Sequence, residues 1–67
     1  MSVAKVVEIT AESDKSFEAA IQEGIERASE TLHNVRGAWV KEQKVEIVDG
    51  AVVAWHVVLE VTFVLDD

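Results

Sequence analysis

The chain is 67 residues long, near the lower size at which one hydrophobic core sustains a fold, so it forms a single domain, 1–67. It has no cysteine, which excludes disulfides, thiolate metal sites and thiol catalysis. Its formal net charge of -7 argues against nucleic acid or an anionic membrane as partner, since both attract basic surfaces.

With 49% hydrophobic residues, so short a chain holds more apolar side chain than it can hide, which points to association with further copies. Met1 to Glu8 shows no apolar signal segment, and no run approaches the roughly 20 apolar residues that span a bilayer. The expected location is the cytoplasm.

Val3 to Thr10 (VAKVVEIT) places Val3, Val7 and Ile9 on one face and Val6 on the other, and reads as a strand. Ser13 follows as a helix N-cap, with a hydroxyl able to accept an orphan N–H of the first turn. Asp14 then suits the positive end of the helix dipole, and Ser16 is a competing cap. From there Phe17, Ala20, Ile21, Ile25, Ala28 and Leu32 form an i, i+3/i+4 apolar stripe. Glu18, Gln22, Glu23, Glu26, Arg27 and Glu30 lie opposite, with Glu23 and Arg27 spaced as an i,i+4 pair. Gly24 falls within the stripe. It costs about 1 kcal/mol of helix propensity relative to alanine, which suits a helix that must lie close against a sheet. Asn34, tolerant of the left-handed conformation, ends the helix.

Val35 to Val48 reads as a second strand, and Asp49-Gly50 as a two-residue hairpin turn. Closing the hairpin there sets Val48 against Ala51, Val40 against Leu59 and Trp39 against Glu60. The third strand, Ala51 to Leu65, puts eight apolar residues on one face: Ala51, Val53, Trp55, Val57, Leu59, Val61, Phe63 and Leu65. Its back face mixes Val52, Ala54, Val58 and Val64 with His56, Glu60 and Thr62. Ala38 and Val40 join the core face, while Gly37, Trp39 and Lys41 fall on the back with His56. A bulge among Lys41 to Lys44 would shift the register near the turn and still leave Trp39 pointing back. The expected fold is α+β, in the order β-α-β-β, one helix against a three-stranded antiparallel sheet whose back is only partly covered.

Three segments, Ser13-x-x-Ser16-Phe17-Glu18-x-Ala20, Arg27-Ala28-x-x-Thr31-Leu32 and Leu59 to Asp66 (LEVTFVLD), together with the length and element order, resemble the dodecin family over nearly the whole chain. The resemblance implies a hollow homododecamer whose sheet wraps its own helix and packs against neighbours. It further implies flavins, or breakdown products such as lumichrome, held between aromatic rings at subunit interfaces, for storage or scavenging and not for catalysis. The family's stacking tryptophan falls at Gly37 here, and its flavin-bonding glutamine at His56. Trp39, two residues on and on the same face, offers a displaced platform, with His56 placed to donate or accept where the glutamine would. The candidate ligand contacts are therefore Gly37, Ala38, Trp39 and His56, for riboflavin, FMN or lumichrome. The plainer alternatives are Trp39 filling a subunit interface and His56 bonded to a neighbour's backbone.

Twelve copies at -7 carry -84, a self-repulsion that assembly must offset with counter-ions or interface pairs. Arg36, Lys41 and Lys44 are candidates to pair with Glu42, Glu46 or Glu60 of a neighbour. Carboxylates converging on a symmetry axis would instead suit Ca²⁺ or Mg²⁺, which prefer oxygen ligands. A dodecin-like assembly without flavin, binding such cations or serving a structural role, is the second functional expectation. Trp55, Phe17 and Phe63 read as core packing, and His33 as a surface residue at the helix C-terminus. No nucleophile elbow, phosphate-cradling glycine loop or metalloprotease spacing is present in the sequence, so no enzyme is expected.

Overall fold

The computed structural model describes residues 2–65; Asp66, which closes the last of the family-like segments, lies outside them. The elements are β1 (Ala4–Ser13), α1 (Phe17–Thr31), β2 (Val35–Val48) and β3 (Ala51–Val64). They form one antiparallel sheet in the order β1-β3-β2, so the apolar third strand takes the centre and pairs on both sides. The expected β-α-β-β, α+β architecture is the one observed.

Helix α1 packs against β1 and β3. Its buried line is Ala20, Gly24 and Ala28, three small residues at i, i+4 and i+8 that let the helix axis approach the strands. A Cβ built on Gly24 would stand 3.1 Å from the Ala11 Cβ and 3.3 Å from Leu59 Cδ1, which accounts for a glycine in mid-helix. Leu59, Val57 and Val61 are fully buried beneath the helix, with Val7, Ile9, Ala11, Phe17, Ile21, Ile25 and Leu32 packed around them.

Several sequence expectations are corrected. The first strand runs three residues past Thr10, so Ser13 closes β1 opposite Trp55, and its Oγ accepts from Lys15 N. Ser16 is the N-cap instead, its Oγ accepting from Ala19 N at 3.0 Å. Arg27 pairs with Glu30 at 3.8 Å, an i,i+3 contact, and not with Glu23. The core face of β3 is shorter than its alternation suggests. Ala51, Val53 and Leu65 are exposed, Trp55 is half-buried outside the central cluster, and Ala54, assigned to the back, is buried. The physical reason is the helix length, since fifteen residues span only about 22 Å while the molecule extends 52 Å. The outer hairpin, beyond the Ser13–Trp55 pair, is two strands without β1 beside them.

The hairpin turn is as expected. Asp49 (φ 52) and Gly50 (φ 79) both take positive φ, as a type I′ turn requires. Two bulges interrupt the ladder: Val53 is extra on β3 between the Glu46–Ala54 and Ile47–Val52 pairs, and Lys41 is extra on β2 between Val40–Leu59 and Glu42–Val58. The second cancels the slip of the first, so Val40 still faces Leu59 and Trp39 still faces Glu60. A further shift lies between Val35 and Gly37.

Strand β2 is left bare. From Arg36 to Val48 every residue is exposed, including Val40, Val45, Ile47 and Val48. The molecule presents 4883 Å² to solvent, against about 4,200 Å² for a compact monomer of its mass.

Candidate functional site

The back of the sheet, opposite α1, carries the side chains with chemistry. Gly37 and Trp39 are two residues apart on β2 and share this face, opposite Thr62 and Glu60 of β3. Ala38, between them, faces Val61 and so points to the helix side. Trp39 is 54% exposed, a large aromatic surface on an open sheet. Nothing lies within 4 Å of where a Cβ on Gly37 would be, so the space beside the tryptophan is clear down to the backbone.

Next to Trp39 is a three-strand charge cluster. Glu60 on β3 faces Glu8 on β1, a like-charge pair that by itself is unfavourable. The bulged Lys41 relieves it: its Nζ donates to Glu8 Oε1 at 2.9 Å and lies 3.8 Å from Glu60 Oε1. The Lys41 hydrogen bond, followed by the Glu60 side chain, holds the Glu8 carboxyl below the usual carboxylate range. Glu8 in turn raises the Lys41 ammonium above its ordinary value, with help from Glu60. The cation expected to serve a neighbour is thus engaged within its own protomer. Glu8 was not among the candidates the sequence offered; its signal is its place on the back face of β1, at the position that antiparallel pairing sets against Glu60.

His56 forms a separate cluster further along β3. Its Nδ1 lies 3.3 Å from Glu12 Oε1 on β1 and its Nε2 3.5 Å from Glu46 Oε2 on β2. A neutral imidazole carries one N–H and donates to one of these carboxylates at a time; imidazolium donates to both. Because the two nitrogens point to opposite strands, imidazole and carboxylates do not converge on a common centre. Lys44 faces His56 across the ladder, and a shallow groove of about 380 Å³ runs here past Thr10, Glu12 and Val58. Among the described residues no group of three metal-ligating side chains is placed to hold an ion.

Within one protomer, then, Gly37 and Trp39 come together, Ala38 turns away, and His56 stands apart. Glu60 and His56 are four residues apart on β3, roughly 13 Å at strand spacing. A larger concavity of about 630 Å³ lies elsewhere, between α1 and β1, and contains none of these four residues. Among the described residues no helix is long and apolar enough to cross a membrane.

The family model for dodecin matches residues 3–66. The dodecin of Thermus thermophilus is 40% identical over 65 residues, 97% of this chain and 94% of the relative. The calcium dodecin of Mycobacterium tuberculosis is 35% identical over 63 residues, 94% of this chain and 89% of the relative. Among solved structures, the dodecin from Streptomyces davaonensis superposes with a TM-score of 0.92 at 36% identity, covering 98% of this chain and 97% of that one. By the extent of these matches and by its β-α-β-β sheet and helix, the chain belongs to the dodecin family.

Proposed function

We propose that the chain is a non-catalytic binding and storage protein, assembled as a homododecamer, that holds a flavin or related flat aromatic ligand at subunit interfaces. The observation that carries this is the half-exposed Trp39 beside the clear space over Gly37. A flat ring laid there meets an indole on one side and bare backbone at Gly37 and Ala38 beneath. Stacking of this kind contributes roughly 0.5–1.5 kcal/mol per ring pair beyond area burial. His56 lies too far along β3 to serve the same ring from the same protomer, and its two ring nitrogens face Glu12 and Glu46. The exposed apolar side chains of β2, Val40, Val45, Ile47 and Val48, support assembly, since their burial against sister subunits removes them from water.

The test is a titration of riboflavin, FMN and lumichrome followed by their fluorescence. Quenching at micromolar protein that is lost in Trp39→Ala is the expected result. Absence of quenching by all three, or quenching that Trp39→Ala leaves intact, overturns the assignment.

A second function, binding of Ca²⁺ or Mg²⁺, is favoured by the 35% identity to a relative named calcium dodecin. With no group of three ligands placed together in the described part of one protomer, such an ion would be held by carboxylates of several copies. It predicts a melting temperature that rises with either ion and falls with chelator.

A further inference from the structure

We infer that His56 is a proton-controlled brace: its charged ring ties the end of β1 to the overhanging β2–β3 hairpin, and its neutral ring releases one of the two. The inference is independent of what is held at Trp39.

The brace lies where the sheet changes width. Glu12–His56 and Ser13–Trp55 are the last rungs between β1 and β3, and Glu46–Ala54 is the next rung outward, with no β1 beside it. Val53, the extra residue on β3, follows at once, so the strand bends just past that rung. Outward from the bend the hairpin carries Ile47, Val48, Val52 and Val53, all exposed. Contacts at its root therefore govern how this apolar arm is held against the rest of the sheet.

His56 reaches both sides of the boundary from the central strand. Its Nδ1 lies 3.3 Å from Glu12 Oε1, at the end of β1, and its Nε2 lies 3.5 Å from Glu46 Oε2, on the arm. Carboxylates accept and do not donate, so each contact needs an N–H on the ring. Neutral imidazole has one N–H and meets one carboxylate. Imidazolium has two and meets both, each contact then being charge-assisted. The proton adds the second tie.

The other groups at the ring do not share this response. Lys44 faces it from β2, Glu42 lines the recess on that side, and β1 contributes Thr10 beside Glu12. Along β3 the same-face neighbours are Ala54 and Val58, and no residue of α1 lines either recess. Carboxylates and ammonium groups ordinarily keep their charge between about pH 5 and 8, the range in which histidine ordinarily changes its own. The His56 side chain is 29% exposed, open enough to exchange its proton with water.

Thermal melts at about pH 5.5 and about pH 8, at fixed protein concentration and ionic strength, test the brace. It is complete where the ring is charged and is lost as the pH rises. The wild-type folding equilibrium is therefore expected to gain about threefold at the lower pH relative to His56→Gln, the size of an exposed ion pair. Glu46→Ala is expected to lose most of that gain, because the carboxylate left at Glu12 is one that the neutral ring already meets. A pH response equal in wild type and His56→Gln, or one that Glu46→Ala leaves whole, overturns the inference. Should His56→Gln fail to fold, Glu46→Ala decides alone, since the second tie ends on that exposed side chain.

Discussion

Lys41 Nζ and Glu8 Oε1 meet at 2.9 Å across the full width of the sheet, one residue on β2 and the other on β1, with β3 between them. Two strand spacings separate the outer strands, roughly 9.6 Å, a gap that the lysine and glutamate side chains close by reaching toward each other. The pair sits over Glu60 and neutralises part of the repulsion between Glu60 and Glu8.

The linkage has a definite sign. The Glu8 carboxyl is lowered, so its contribution to stability is complete above the unfolded value near pH 4.3 and is lost as pH falls through the folded value. The Lys41 ammonium is raised, so its share is complete below about pH 10.4 and is lost as pH rises through the folded value. Lys41→Met should therefore lower the melting temperature at pH 7, and the difference from wild type should shrink as pH drops below 4. Both groups are exposed, so 0.5 M salt should also shrink it. Thermal melts across pH and salt check this. A difference independent of both would mean that the lysine stem's packing matters and the charge does not.

Gly24→Ala sets two magnitudes against each other. Helix propensity favours alanine by about 1 kcal/mol. Against it, the new methyl would sit 3.1 Å from the Ala11 Cβ, which cannot swing aside without moving β1. Overpacking of this kind costs typically 1–3 kcal/mol. The expected net effect is a loss of about 1 kcal/mol by denaturant unfolding, and Gly24→Val should lose more. A stabilised Gly24→Ala would show that the helix rides higher on the sheet than 3.1 Å implies.

Much of this was readable in the sequence because period and turn chemistry are local. The alternation of Val57, Leu59 and Val61, the stripe from Phe17 to Leu32 and the Asp49-Gly50 turn each fix an element without knowledge of the others. Even the Trp39–Glu60 pairing follows from counting back from the turn, though only because the bulges at Val53 and Lys41 cancel. What was not legible depends on tertiary placement. Ser13 and Ser16 are equally good caps in isolation, and the choice falls to how far β1 pairs along β3. Glu8 and Glu12 look like solvated strand residues until pairing brings Lys41 and His56 within reach. That Ala38 and Val40 share a face with the core and yet remain uncovered depends on which strands the helix lies over.

Leu59→Ala removes the largest fully buried side chain, at 1% exposure, from beneath the helix. Large-to-small changes at such sites cost 2–5 kcal/mol, and a domain of this length has a total stability of roughly 3–10 kcal/mol as a monomer. The variant should therefore be largely unfolded when dilute. If the folded state is an assembly, concentrating the protein should restore structure, because association stabilises by mass action. Circular dichroism over a hundredfold concentration range distinguishes the outcomes: a signal insensitive to concentration argues against coupling of folding and assembly.

The final prediction concerns what covers β2. Val40 and Val45 are 40% and 36% exposed on the helix-side face of the edge strand β2. Burying a valine fully is worth about 1.5–3 kcal/mol relative to full exposure, so covering what remains exposed of each is worth roughly 0.5–1 kcal/mol, and in a closed assembly the gain recurs at every copy. Replacing Val40 or Val45 with glutamate removes that gain and places a charge where water is to be excluded, on a chain already at -7. Sedimentation velocity should show wild type as one large species at micromolar concentration, and either variant as smaller species. Glutamate at Ile47, beyond the end of β1, probes the hairpin tip in the same way. A wild-type protein that sediments at 7.4 kDa with native circular dichroism would mean that these side chains are at home in water. The interfacial site proposed around Trp39 would then have no second wall.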